Sequence, residues 1–195
     1  MTFQSRPASS GASHALDPSV VEKLVRSASE GSRHGLRNAL IVRLMYGHAL
    51  RLAETVDLCW GHVDLHHGRL RFTRRRSGLK TTRNLTNDEL HALRDLRGRA
   101  RHRDKTAPVF QSSSGERLTP DAVRKAIATA ADKAGIRGAV GPRILRRSAG
   151  MRVGAITRDV DAVRALLGVG LRVSAVSAVP VLSARCSKRR ANPWA

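Results

Sequence analysis

Tyrosine is almost missing from this chain, acidic residues are few, and cysteine contributes too little to build a site or staple a fold. Cys59 and Cys186 stand far apart and give neither a metal-ligand spacing nor a disulfide framework, so a reducing cytoplasm is the default compartment. No apolar run approaches the roughly 18 residues that a membrane span requires. Met1-Thr2-Phe3-Gln4 lacks the charged start and apolar core of a secretion signal, and no membrane partner is expected. His66-His67 is a turn pair with no carboxylate cluster beside it, so neither a metal nor any other cofactor is expected.

Only 15 Asp and Glu oppose 36 Lys and Arg, giving a formal net charge of +21 over 195 residues. A GC-rich genome alone would raise the acidic GAC and GAG codons together with arginine. The imbalance therefore points to a polyanionic partner, nucleic acid first. The length suits one domain with tails and a real core.

Residues 1–16, rich in Ser, Ala and Gly without periodicity, read as a disordered lead. Asp17 as cap and Pro18 then open a helix with Val20, Val21, Leu24 and Val25 on its apolar face. A second helix is expected over 36–46, and a third opens at Arg51. After Trp60 the period shortens to two. Residues 62–65, 70–73 and 82–85 read as strands, with turns at His67-Gly68 and Ser77-Gly78. Helices follow over 87–101, 119–134, 145–157 and 160–167. The fold class is α+β, mostly helical, with a small antiparallel three-stranded sheet. One domain is expected over 17–168, and the atypical basic tail 169–195 is expected to be disordered.

The most informative stretch is 47–65, GHALRLAETVDLCWGHVDL. Leu50, Leu52, Val56 and Leu58 supply apolar positions around Arg51, which is expected to be buried at a helix start. Glu54 lies one turn on, and Trp60-Gly61-His62-Val63-Asp64 leads toward a strand. Spacing alone also allows an ordinary Arg51–Glu54 pair on one helix. This stretch resembles the first active-site box of the tyrosine recombinase, or phage integrase, family, whose usual form is TGLRxSELxxLxWxDVD. A second stretch, 141–150, GPRILRRSAG, resembles the family's HxLRHxxAT. The order of elements over residues 18–168 is that of the family's catalytic domain. As in the short fimbrial phase-variation recombinases, no N-terminal DNA-clamping domain is recognisable, and weaker or partner-dependent binding is expected.

The resemblance implies metal-free DNA strand cleavage and rejoining through a covalent 3′-phosphotyrosine, in DNA integration or recombination. Charge develops on the non-bridging oxygens of the scissile phosphate, which two rigid arginine forks must grip. The leaving 5′ oxygen needs a proton donor, and the phenol must lose its own proton. By the resemblance, Arg51 and Arg146 form the phosphate-gripping pair, and Lys80, in a turn between two strands, is the general-acid lysine. Arg143 stands at the usual histidine position, and Arg147 replaces a common histidine next to Arg146. All eight histidines lie at or before His102, so no realignment restores one. Arg83 and Arg147 are expected to contact DNA. The implied partners are double-stranded DNA and, on it, either further copies of this chain or an active recombinase subunit. A nucleoid-associated location follows from the DNA.

The family nucleophile is not found. It should stand roughly nine residues beyond Leu166-Leu167-Gly168, where Ala178 and Val179 occur. Tyr46, the single tyrosine, precedes Arg51 at an apolar packing position. Ser174 and Ser177 are nearby hydroxyls, but serine is far less acidic than a phenol and nothing adjacent could serve as its base. A frameshift just after Gly168, or a decayed gene end, would account for the Val, Ala and Ser alternation of the tail, and a nucleophile supplied in trans stays open. The chain as written is expected to be a recombinase-family protein that binds duplex DNA but does not cleave it. The alternative is a generic basic nucleic-acid binder of ribosomal or nucleoid type. One comparison separates them. Arg51→Ala is expected to weaken binding at a defined site more than Arg103→Ala, whereas a generic binder would lose about one unit of salt slope at either position.

Overall fold

Pro18 at the first helical position and an apolar row of Val21, Leu24, Val25 and Ala28 set α1 (Pro18–Ser29), which buries that row and leaves Glu22, Lys23 and Arg26 in solvent. Asp17 occupies the N-cap position, its carbonyl accepting the Val21 N–H but its side chain bonding no helix N–H, so proline rather than the expected side-chain cap fixes this end. The computed structural model describes residues 15–168. The rest of the lead, and the tail from Val169 with Ser174, Ser177, Ala178 and Val179, lie outside these residues. Leu16 is already tied to the core: its N–H donates to Ser148 Oγ at 2.8 Å, and its side chain packs on the apolar cluster.

α2 (Gly35–Gly47) is apolar nearly all round. Ala39, Leu40, Ile41, Val42, Leu44, Met45 and Tyr46 are all buried, a pattern that suits only a central helix. Accordingly α1, α4, α5 and α6 (ranges below) pack around it. Each fully buried aliphatic side chain there contributes about 1.5–3 kcal/mol relative to exposure.

A short α3 (Leu52–Val56) follows, then a 3-10 turn at Trp60–His62 and an antiparallel sheet of β1 (Val63–Asp64), β2 (Arg69–Thr73) and β3 (Lys80–Asn84), in that order. Val63 pairs with Leu70, Leu70 with Arg83, and Thr73 with Lys80. The strand period sends Leu70 and Phe72 inward and Arg69, Arg71 and Thr73 outward. β3 starts at Lys80 instead of residue 82. The hairpin closes earlier than expected, with Arg74 N–H on the Leu79 carbonyl and Gly78 N–H on the Arg74 carbonyl. Lys80 is therefore a strand residue and not a turn residue.

α4 (Asn87–Arg99) opens on a reciprocal cap: Thr86 Oγ1 accepts the Glu89 N–H and the Glu89 carboxylate accepts the Thr86 N–H at 2.9 Å. Thr119 caps α5 (Pro120–Lys133) by accepting the Ala122 N–H at 3.1 Å. α6 (Pro142–Thr157) begins before the expected residue 145, because Pro142 fits the first helical position behind an extended Gly141. α7 (Val160–Leu167) has the expected span, with Asp159 at its start and Gly168 at its end. The architecture is the expected one, α+β and mostly helical with a three-stranded antiparallel sheet. No helix among the described residues is long and apolar enough to cross a membrane.

Buried Glu89 also meets His48, whose Nε2 lies 3.2 Å from the carboxylate. Burial alone would raise the Glu89 pKa, but hydrogen bonding and charge from His48, with the Thr86 bonds, outweigh it and hold the carboxyl below its ordinary 4.5. A carboxyl depressed in the folded state stabilises the fold above its unfolded pKa. That contribution is lost as pH falls through the folded value. Glu89→Gln is expected to lower the Tm near neutral pH and to flatten its further fall below pH 4.5. Thermal melts of both proteins across acidic pH check this, and parallel curves would contradict it.

Candidate active site

Between α2 and α3 the chain turns through residues 48–51. Ala49 has φ 50°, a left-handed conformation that costs a non-glycine residue about 1–2 kcal/mol. The turn delivers the Ala49 carbonyl to two arginines, Arg74 and Arg146, each donating from Nη1. Arg51 comes next as the extended residue before α3. An arginine side chain has no acceptor to cap a helix with. Glu54 supplies the bond in the other direction, its carboxylate accepting the Arg51 N–H at 2.8 Å.

Arg51 is only half-buried, contrary to expectation; the arginine sealed in the core is Arg74, 1% exposed. Its Nη1 donates to Glu54 Oε2 at 2.9 Å and to the Ala49 carbonyl at 3.1 Å. Its Nη2 donates to the His48 carbonyl at 3.1 Å and to the Leu166 carbonyl. The guanidinium carbon lies 4.6 Å from the centre of the Phe72 ring. Burial lowers the Arg74 pKa and the charge of Arg51 lowers it further, while Glu54 opposes both. The Arg51–Glu54 ion pair that spacing allows does not form, because this carboxylate is committed to Arg74. In the sequence Arg74 is one of a basic run, 74–76, with no motif to mark it. Strand alternation could have flagged it, since Leu70, Phe72 and Arg74 share one face.

Three arginines meet the end of α7. Arg83 donates to the Ala165 carbonyl, Arg74 to that of Leu166 and Arg146 to that of Leu167. A helix leaves its last carbonyls without internal donors, and its dipole favours cations there. Gly168 closes the helix at φ 54°, and a Cβ on it would sit 2.8 Å from Arg74 Cγ and Cδ, so conformation and space both demand glycine. Burial first, then the charges of Arg74 and Arg51, bring the Arg146 pKa down to about 10. Burial and Arg74 bring Arg83 to about 10. Both remain cationic at neutral pH.

Counting donors separates these arginines. A guanidinium has five N–H groups. Arg74 spends four on the protein, and the fifth, at Nε, is buried without an acceptor. Arg146 spends one from each Nη, which leaves three for a ligand. The Arg51 guanidinium makes no hydrogen bond or ion pair among the described residues, yet its charge reaches Arg146. Arg51 and Arg146 thus form a cationic pair with free donors and no carboxylate of their own, a fit for a tetrahedral oxyanion.

The other candidate residues lie around this pair. Arg143 and Arg147 are exposed on the first turns of α6. Arg83 turns inward onto α7 and is half-buried. Lys80 is exposed on the outer face of the sheet opposite Thr73, away from the face that carries Arg83, and the structure does not bring it into the arginine cluster. Tyr46 is buried beneath Arg152, whose guanidinium carbon lies 4.8 Å from the ring centre. Burial raises the phenol pKa, Glu22 and Asp17 add to the rise, and Arg152 only partly opposes it. A nucleophilic phenol needs the reverse shift. Among the described residues no group of three or more His, Cys, Asp and Glu gathers that could hold a metal ion.

The phage integrase family model matches residues 14–169. The chain belongs to the phage integrase family. Among its tyrosine recombinase relatives, the type 1 fimbriae regulatory protein FimE of Escherichia coli (strain K12) is 27% identical over 151 residues, covering 76% of each chain. Tyrosine recombinase XerD of Mycobacterium tuberculosis is 32% identical over 138 residues, covering 68% of this chain and 44% of XerD. Among solved structures, XerA recombinase superposes with a TM-score of 0.67 at 21% identity, over 84% of this chain and 58% of XerA. A lambda integrase tetramer bound to a Holliday junction gives 0.66 at 18% identity, over 90% of this chain and 50% of the integrase chain. The chain thus spans about half the length of several of these recombinases, and it shares their catalytic-domain fold.

Removing one partner of a buried ion pair strands the other charge. Arg74→Ala is expected to cost about 3–5 kcal/mol in chemical denaturation. In a Glu54→Gln background the same change is expected to cost at least about 1 kcal/mol less, since the two share one interaction. Additive losses would contradict the pairing.

Proposed function

We propose that the chain binds duplex DNA as a tyrosine recombinase-family protein, with Arg51 and Arg146 holding one backbone phosphate, and that it does not cleave DNA by itself. The observation that carries this reading is the Arg51–Arg146 pair, two guanidinium groups within electrostatic reach of each other that keep unspent donors, the nearby Glu54 carboxylate being committed to Arg74. Arg143 and Arg147, exposed one turn apart on α6, add contacts to flanking phosphates. Arg83 contributes mainly through its hold on α7, beside any contact it makes with DNA. Lys80, on the outer face of the hairpin, reaches the scissile phosphate only after the hairpin moves over bound DNA.

The cleavage step lacks its phenol. Tyr46, the one tyrosine of the sequence, is locked into the core with a raised pKa, on the side of α2 that faces Arg152. Lambda integrase has been captured on DNA as a dimer and as a tetramer. By analogy this chain occupies sites as a homo-oligomer or beside an active subunit that supplies the nucleophile. Residues 17–168 form the operative domain, the protein is cytoplasmic and works at the nucleoid, and no cofactor takes part.

Incubation with nicked, phosphate-trapping duplexes is expected to give no covalent band on a denaturing gel, together with a salt-sensitive mobility shift at a preferred site. Arg146→Ala should weaken that shift by roughly tenfold or more, the loss of charge-assisted bonds to a phosphate. A covalent band would overturn the cleavage-deficient reading. A shift indifferent to Arg51→Ala and Arg146→Ala would overturn the phosphate grip.

A further inference from the structure

The end of α2 remote from Arg51 carries a second gathering of positive charge. A half-open cleft of about 330 Å³ lies between the first turn of α2, the last turn of α4 and the segment 109–113. Arg33, His34, Arg37, Arg99 and Arg101 line it beside the hydroxyl of Ser112, and no carboxylate does. None of these four arginines makes an ion pair among the described residues. Elsewhere on the surface Arg43, Arg71, Arg75, Arg124 and Arg164 are ion-paired. Of the arginines that are not, these four share one concavity.

The cleft is built from within. Buried Gln111 accepts the Arg101 N–H at 3.1 Å and donates from Nε2 to the carbonyls of His102 at 2.7 Å and Pro108 at 3.0 Å. Its own carbonyl accepts Arg37 Nη1 at 2.6 Å. The Gln111 side chain therefore fixes the Arg101 backbone, and its backbone carbonyl holds the Arg37 guanidinium. α2 begins here with no side-chain cap and no acidic residue in its first turn, and the N–H groups of Leu36 and Arg37 have no acceptor among the described residues. The positive end of the helix dipole adds to the arginines. Burial and Arg33 lower the Arg37 pKa; burial, Arg37 and Arg33 lower that of His34. Burial is the larger cause of both shifts, and the neighbouring like charges add to it.

We propose that this cleft is a phosphate-binding site separate from the Arg51–Arg146 pair, occupied by a phosphate of a nucleic-acid backbone or by free phosphate. At 1.5 Å per residue, α2 separates it from the 48–51 turn by roughly 20 Å. The forks of Arg33, Arg99 and Arg101 and the open amides at the helix start suit a tetrahedral anion, while Arg37, whose Nε and Nη2 donate to Asn38 Oδ1, adds its charge. The proposal does not depend on Arg51 or Arg146 binding DNA.

The full-length chain is titrated at constant ionic strength with inorganic phosphate, and separately with a short duplex, while the backbone amides of Leu36, Arg37, Arg101 and Ser113 are followed by NMR. Arg33→Gln/Arg99→Gln, at two exposed positions, is the comparison. Saturable shifts in the wild type that weaken by roughly tenfold or more in the variant support the site. If the duplex moves these amides and the variant loses about two units of salt slope, the backbone is the source. A response to phosphate alone identifies free phosphate. Shifts reproduced by chloride, or equal in wild type and variant, would overturn the proposal. Amides flanking Arg51 and Arg146 report in the same spectra, so failure of the DNA-grip reading is seen separately.

Discussion

The fold around the site hangs on one buried ion pair, Arg74 with Glu54. A guanidinium taken out of water is costly unless nearly all its donors are met. Here four acceptors come from three parts of the chain: the turn after α2, the start of α3 and the end of α7. Satisfying this one group forces the hairpin, the turn and the last helix into a single arrangement. Glu54 is spent three times, on Arg74, on the Arg51 N–H and on the Arg75 N–H. The carboxylate that spacing would give to the Arg51 side chain is therefore withdrawn, and Arg51 is left with its donors free.

Charge is distributed by the same rule along the rest of the site. Arg83, Arg74 and Arg146 each take one of three successive carbonyls at the end of α7. Those carbonyls are the most negative part of the helix, so the like-charged arginines gather around them. Arg146 stands at the rim of this arrangement and keeps part of its fork for a ligand, while Arg74 at its centre keeps none.

Much of this could be read in the sequence. Pro18, Thr86, Thr119-Pro120 and Gly168 mark helix ends by chemistry that acts locally, and the helices sit close to where those residues place them. The box around Arg51 and the run ending in Arg146 and Arg147 were legible as motifs because both lie on continuous segments. What stayed hidden depended on pairing across the chain. Arg74 looks like its neighbours Arg75 and Arg76 until strand parity turns it inward. Lys80 was placed in a turn because the hairpin register, set by Thr73 opposite Lys80, is not written in local composition. The partner of Glu54 lies twenty residues away, beyond what helical spacing can show. The cleft at the far end of α2 draws on three separate segments and has no motif at all.

The carbonyl of Ala49 accepts from two arginines at once. A carbonyl oxygen has two lone pairs, so each arginine is a spare for the other. Loss of either one leaves this oxygen with a donor, and the cost of an orphaned buried acceptor is incurred only when both are gone. The strained turn that positions Arg51 is in this respect redundant. A lineage could erode Arg146, and with it the grip on an anion, while Arg74 went on holding the turn in shape. The architecture of such a site can outlast its chemistry.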